Sequence, residues 1–521
     1  TGQLDSNNTI DAASMTVSST SSLLGTVTTS GVQTYTGAVT LDSGGATNVI
    51  AGSLVTFAGG ITGNGKNLDL NGNFANDTAV TGVLGLDISG TTDIGADITT
   101  TGTQTYTGAV TLTAGATLDA TGNNNITFAN TVGAGSALGL SVDAGTAIVQ
   151  FANTVGSGQA LGAIVITGQL DSNNTIDAAS MTVSGASNLA NNVTTSTATG
   201  QVYTGAVTLS GDLTLTTSDD LVTFSSTVSG AQDLTVAAGS GALTFSGAIG
   251  TTALTSLTTT SGTFSATAIK VAGAISITNT SAGTVTGVIS DGGTAASLTK
   301  AGAANLTLSG VNTYTGNTTI TAGTLTIGGS GLLSSATAGT YAGTIANAGT
   351  LAVGTTADQT LSGVISGAGG LTKTAAGTLT LTANNTFTGL LTVNAGTVSL
   401  TGSGQLVGAI DMGASGTLTL SDDFKDGDSI SEINVAGTIA SGATINMPAD
   451  LVNGQTIIWN TLNDNSANMT LLSAALTDNV LTDYAATDTG TSTTITANNK
   501  ASTTIAASIG STSNQAAGLV I

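Results

Sequence analysis

Apolar and polar residues alternate one by one through most of this chain. Val39-Thr40-Leu41, Val110-Thr111-Leu112 and Val207-Thr208-Leu209 are typical runs. A period of two puts Val and Leu on one face of a strand and Thr on the other. β-Branched residues and Leu set between Thr suit pleated strands. The runs are short and end in polar turns, so the pattern predicts a chain that is almost wholly β.

The runs also repeat, and repetition fixes an architecture before any single residue does. Residues 1–18 (TGQLDSNNTIDAASMTVS) recur unchanged at 167–184. FANTVG occurs at Phe128–Gly133 and again at Phe151–Gly156, an offset of 23. Related phrases are VTFAGGITG at 55–63, VTFSSTVSG at 222–230 and LTFSGAIG at 243–250. A unit of this size holds about three strands of about 5–6 residues with their turns. That is one coil of a β-solenoid. With coils about 4.8 Å apart, about 22 of them would extend about 110 Å.

A second repeat is aromatic. QTYTGAVTL stands at 33–41 and 104–112, and QVYTGAVTL at 201–209. NTYTGNTTI at 312–320 and NTFTGLLTV at 385–393 are its cousins. Each places one ring, Tyr35, Tyr106, Tyr203, Tyr314 or Phe387, before Thr-Gly and a strand. The ring is expected to stack on its equivalent in an adjacent coil, or to cover a corner. The Gly is expected to supply the backbone freedom of a tight corner. A third repeat runs LTKAGAANLTLSGVNTYTGNTTITAGTLTI over 298–327 and LTKTAAGTLTLTANNTFTGLLTVNAGTVSL over 371–400.

The series Leu-Thr-Lys, Gly-Thr-Leu-Thr-Leu, Asn-Thr-Tyr-Thr-Gly, Ala-Gly-Thr-Leu resembles the passenger-associated transport repeat of bacterial autotransporter passengers, the type V secretion class. Residues 1–290 more loosely resemble the filamentous-haemagglutinin-like β-helical adhesins. The resemblance implies a right-handed parallel β-helix displayed outside the outer membrane. It gives β-solenoid repeats over 1–290 and a solenoid with two transport repeats over 291–401. Repeat arrays end in atypical capping units, and beyond Gly402 the repeats fade, with Pro448 and Trp459 the only residues of their kind. Residues 402–500 are therefore expected to form a C-terminal cap with antiparallel or irregular strands, autochaperone-like by resemblance. Residues 501–521 are expected to be a tail or linker. The opening inside a repeat suggests a mature or excised part of a longer precursor. A C-terminal β-barrel, carried by autotransporters, was cleaved, lies outside this sequence, or is replaced by another export route.

Composition narrows the partners. The 521 residues include 73 Gly, no Cys, no His and no Arg. Only 7% are charged, against about a quarter in typical domains. The 40% apolar content separates the chain from disordered ones. A net charge of −23 argues against nucleic acid, whose phosphates need cations, and against anionic lipid. No disulfide framework exists, and no stretch approaches the about 20 apolar residues of a membrane helix; membrane insertion by this segment is not expected.

Candidate chemistry is sparse. Polysaccharide lyases and hydrolases share the parallel β-helix, but charge stabilisation and proton transfer need cations or His beside acids. Here Glu432 is the sole Glu and six Lys the sole cations. Asp219-Asp220 and Asp422-Asp423 are carboxylate pairs by sequence only, since strand neighbours point to opposite faces. No catalytic residue is assigned. Asp422, Asp423, Asp426 and Asp428 around Gly427 have the composition of a calcium loop. Their spacing is not that of an EF-hand, so an acidic turn is the expectation and no cofactor is assigned. The repeat aromatics offer a sugar-stacking stripe as the alternative to corner packing. The Asn of turns at 7–8, 123–125 and 384–385 are expected to stack as amide ladders or to take left-handed conformations. The lysines of Leu-Thr-Lys are expected to offset nearby acids.

The expected function is that of a non-enzymatic, extracellular, bacterial surface-displayed β-solenoid, an adhesin or scaffold. Its partners would be a host or neighbouring cell surface, or other copies of itself, with specificity carried on loops. The competing readings are a self-assembling subunit of a filament, sheath or surface array, and a polysaccharide-active enzyme.

Overall fold

The computed structural model describes residues 4–6, 9–42, 47–334, 339–401 and 410–420, with the strands Thr444–Met447, Thr456–Asn460, Thr470–Ser473, Tyr484–Asp488 and Ser492–Ala497. Among these residues there is no helix. The chain divides into two compact units, one of residues 1–255 and 259–263, the other of 256–258 and 264–521. Each is a β-solenoid of parallel strands, and the two together hold about 20 turns.

The first unit is built from three columns of strands around an apolar interior. One column runs from Leu4–Ser6 through Ser21–Leu23 and Val39–Leu41, and later through Gln201–Tyr203, Val222–Phe224 and Leu243–Phe245. A second includes Ile10–Ala12 and Val27–Thr29, and higher up Gln104–Tyr106 and Ile126–Phe128. The third includes Met15–Val17 and Val32–Tyr35, then Thr92–Ile94 and Val110–Leu112. Alternation works as the sequence pattern requires. In Val110–Leu112 the Val and Leu are buried and the Thr between them is exposed. Fully burying one such side chain contributes about 1.5–3 kcal/mol.

The coil is less regular than a fixed unit of 23. Phe128 and Phe151 do pair in register at that offset. Elsewhere the offset is 17, as from Leu170 to Ser187, or 27, as from Thr318 to Ile345. The commonest strand length is three residues rather than 5–6, because such a strand spans only one flat side before the next corner.

Variable coil length has a consequence for the repeats. Gln33–Tyr35, Gln104–Tyr106 and Gln201–Tyr203 lie on three different columns. The unchanged 18-residue block behaves likewise. Leu4 pairs with Ser21 in the first column, whereas its copy Leu170 follows Val149 in the second. The same sequence thus fits different sides of the solenoid, since every side offers the same inward-apolar, outward-polar environment.

The glycine of Tyr-Thr-Gly serves close approach, not backbone freedom. Gly37, Gly108 and Gly205 are absent from the positive-φ glycines. A Cβ on Gly108 would lie 2.2 Å from the Gly90 carbonyl oxygen, and one on Gly205 2.3 Å from Gly185 backbone. Consecutive corners stack there backbone on backbone.

In the second unit, one column holds Ser297–Ala301, Thr318–Ile320 and Ile345–Asn347. The next holds Asn305–Leu308, Thr324–Gly329, Thr350–Thr355 and Gly370–Lys373. The remaining one holds Thr340–Tyr341, Gln359–Leu361 and Thr378–Leu381. It continues through the second halves of Leu391–Leu400 and Ile410–Leu420. Thr444–Met447 and Thr470–Ser473 extend it in parallel. Thr456–Asn460 and Tyr484–Asp488 instead pair antiparallel with Ser492–Ala497. The expected tail over 501–521 lies outside the described residues.

Candidate functional site: buried braces and an outward hydroxyl surface

The repeat rings are inside. Tyr35, Tyr106, Tyr203, Tyr314 and Phe387 all have 0% exposure, so none presents a face to a sugar. They do not stack on one another. Each tyrosine of the first unit heads a column of phenylalanines from the Val-Thr-Phe phrases and their relatives. Tyr35 lies on Phe57 at 5.0 Å. Tyr106, Phe128 and Phe151 follow at 5.0 and 5.1 Å. Tyr203, Phe224 and Phe245 follow at 5.2 and 4.7 Å. Each such contact adds about 0.5–1.5 kcal/mol beyond its buried area. Tyr314 meets Tyr341 edge-on at 5.5 Å.

A buried phenol needs a partner, and Gln two residues earlier supplies it. Tyr106 Oη donates to Gln104 Oε1 at 2.8 Å. Gln104 Nε2 donates to the Asp119 carbonyl at 2.9 Å on the following coil. Gln33 and Gln201 repeat this clamp, onto the carbonyls of Ala51 at 2.6 Å and Thr216 at 3.0 Å, with Tyr35 and Tyr203 donating at 3.0 Å. Burial raises all three tyrosine pKa values above their ordinary range. Sequence reasoning noticed the rings and missed the glutamines. Strand parity gave the signal, because Gln104 lies two residues before the inward Tyr106.

Lys300 and Lys373 are also interior, both 0% exposed. Their hydrogen bonds go to backbone carbonyls, and of the two, Lys373 also feels the charge of an acid, Asp358. Lys300 Nζ donates to the carbonyls of Ala301 at 2.6 Å and Gly302 at 2.9 Å, and to Ala322 of the next coil at 3.4 Å. Lys373 Nζ donates to the Ala375 carbonyl. Burial lowers the Lys300 pKa to about 8. It lowers that of Lys373 too, against the opposing charge of Asp358. The ammonium serves corner carbonyls that turn away from water.

Asn and Asp side chains are spent on the backbone of a neighbouring coil. Asn123, with φ +55°, accepts from Thr146 N at 3.0 Å, and Asn125 from Ile148 N at 3.1 Å. Asn385 accepts from Ile365 N at 2.8 Å. These are backbone braces rather than amide ladders. Asn7 and Asn8 lie outside the described residues. Asp219, with φ +66°, accepts from Ser240 N at 2.7 Å, whereas Asp220 closes a turn with the Thr217 hydroxyl through its own backbone N–H and carbonyl. Asp422, Asp423, Asp426 and Asp428 lie outside the described residues. Among those described, no three metal-ligating side chains gather. A shallow cleft of about 230 Å³ on the first unit holds a single carboxylate, Asp97, which accepts from Thr117 N at 2.8 Å.

What remains for a partner is the outer surface of hydroxyls, scattered acids and single exposed aliphatics such as Leu84 and Val165. Some acids face each other across coils. Asp69 pairs in register with Asp87, and Asp119 with Asp143. The pKa values of Asp69 and Asp119 are raised by partial burial and by the facing carboxylate.

The family model of the passenger-associated-transport-repeat matches residues 298–327 and 371–400. These segments carry the two buried lysines and span consecutive coils. The chain is also similar to the adhesin BmaC autotransporter of Brucella suis biovar 1 (strain 1330). The two are 36% identical over 141 residues, which is 24% of this chain and 4% of that protein. The chain thus matches only a small part of the curated relative. It is a β-solenoid repeat protein that carries two autotransporter passenger repeats and is similar to an autotransporter adhesin.

Proposed function

We propose that this chain is a stretch of a non-enzymatic passenger, displayed on a bacterial surface as an adhesin or scaffold. The observation that carries this reading is the pair of passenger repeats folded as parallel coils. Similarity to a protein named as an adhesin supports it. Side-chain chemistry points the same way. The rings and both repeat lysines are used inside, and the whole sequence has no His or Arg for proton transfer or charge stabilisation. The mechanism is geometric. Each coil lengthens a hydrated surface by one strand spacing, and partners are met by outward residues and corner loops. The reading requires no metal or cofactor, and its partners are another cell's surface or other copies of the chain.

The test is display of the whole chain on a non-adherent bacterium, through a heterologous outer-membrane anchor. Expected are protease-removable surface exposure and a gain in attachment to host cells, to abiotic surfaces or between like cells. Exposure without any gain in attachment would overturn the adhesin reading. Turnover of a polysaccharide by the purified chain would overturn the non-enzymatic one.

A further inference from the structure

Single outward hydroxyl rows occur on other sides, as Ser265, Thr284, Thr307 and Thr326, but one side of the second unit carries two such rows next to each other. Two rows run up the column of Gln359–Leu361, Thr378–Leu381 and the strands that follow. Backbone pairing aligns Thr378, Thr397 and Thr417 in one row and carries the register on to Thr444 and Thr470. The second row, two residues further along each strand, aligns Thr340, Thr360, Thr380, Ser399 and Thr419. Leu379, Val398 and Leu418 between the rows are buried, so the described Thr and Ser face outward, half-exposed.

Three further observations single this face out. The hydroxyls of Thr360, Thr378, Thr380, Thr397, Ser399 and Thr417 make no side-chain hydrogen bond to another described residue. In the neighbouring column, by contrast, Thr326 Oγ1 donates to Asn305, whose amide donates to Thr307, and Ala352 and Gly370 interrupt the rows. Among the described residues of these rows no charge stands from coil 378 onward, and Asp358 lies only at the head of the first row. In the first unit, outward rows are broken by Asp69, Asp87, Asp119, Asp143 and Asp171.

We propose that this hydroxyl face binds ice. The rows form a grid of about 4.8 Å between coils by about 6.7 Å along each strand. Tetrahedral water joined by hydrogen bonds of about 2.75 Å places second-neighbour oxygens about 4.5 Å apart and repeats its stacked layers at about 7.3 Å. The mismatch along the coils is about 0.3 Å per step, a fraction of one hydrogen-bond length over three coils. Each Thr adds a methyl group beside its hydroxyl, so the face combines anchoring groups with apolar contact. A rigid solenoid holds both before the ligand arrives, and preorganisation limits the ordering cost of binding. A charged side chain has the opposite effect, because a water lattice cannot reorient to solvate it.

The inference does not depend on surface display, and the purified full chain tests it without cells. A cold finger seeded with ice is grown slowly in a solution of the protein beside serum albumin. The wild-type chain is expected to enter the ice while albumin is excluded. Thr397→Lys, in the middle of the first row, is expected to cut partition about tenfold, the effect of about 1.4 kcal/mol. Thr380→Lys in the second row should do the same, and Thr299→Lys on another column should leave partition unchanged. Circular dichroism of each variant checks that the fold is kept. Exclusion of the wild-type chain with albumin would overturn the proposal. So would equal partition of folded Thr397→Lys and Thr380→Lys, or binding to crystalline cellulose or chitin without entry into ice.

Discussion

At the scale of single residues, the interior polar groups set the most exacting conditions. Gln104 offers two carbonyls a donor and one phenol its acceptor. Gln104→Leu would leave the buried Tyr106 phenol without its acceptor, at about 1–3 kcal/mol, and would take a second donor from each of the two carbonyls, which keep their strand pairing. A loss of about 1–3 kcal/mol in local stability is expected, read as faster hydrogen–deuterium exchange over Ile98–Phe128. Lys300 gives a pH signature instead. Its folded pKa of about 8 lies below its ordinary 10.5. The stability it contributes is therefore present above the unfolded value and lost as pH falls through the folded one. Between about pH 8 and pH 10, wild type should gain stability relative to Lys300→Met. Buried tyrosines act in the other direction at higher pH, so denaturation midpoints should be compared inside that window. A difference that shrinks with rising pH would refute the assignment. Alternation made Leu and Val legible as interior residues. It also placed Lys300 inside, two residues after Leu298, but the chemistry of lysine argued for the surface. The corner carbonyls that reverse this choice belong to backbone geometry, which residue types do not state.

Elements meet here through register rather than through interlocking side chains. Asp119 over Asp143 puts like charges opposite each other on an outward face. Such pairs are destabilising by a few tenths of a kcal/mol to about 1, and these carboxylates are partly exposed, so solvent screening reduces the figure. The folded pKa of Asp119 is raised, so its contribution falls as pH rises through that value. Asp119→Asn should raise the denaturation midpoint slightly at pH 7, by about 0.5 kcal/mol or less, and have no effect once both acids are protonated. Corner packing is harsher. Gly108→Ala drives a Cβ to 2.2 Å from the Gly90 carbonyl. The coils must then part, at about 1–3 kcal/mol, measurable as a lower melting temperature. Gly135→Ala, with nothing within 4 Å, should be nearly silent. The strands were readable from period two, but their partners were not. Sequence offsets of 71 between Tyr35 and Tyr106 and 73 between Lys300 and Lys373 are not whole numbers of coils. A reader of the repeats would stack like on like, whereas pairing sets Tyr106 on Phe128.

For the molecule as a whole, composition governs behaviour in solution. A net charge of −23 and an isoelectric point near 4.1 keep copies apart at neutral pH. Light scattering should show association rising as the pH approaches 4, and little at pH 7 in moderate salt. The solenoid class was legible in full from repetition. The outward rows were legible only as "Thr outside", because their alignment depends on coil lengths that range from 17 to 27. The portability of sequence between columns has an evolutionary reading. An insertion or deletion need not span a complete coil to be tolerated. One strand with its corner is enough, since inside and outside are preserved when the chain shifts by a side. Such an indel would turn everything that follows within the unit by a third of a revolution. Slippage between the identical 18-residue blocks would thus act as an indexing mechanism, re-aiming existing surfaces without altering one residue of them.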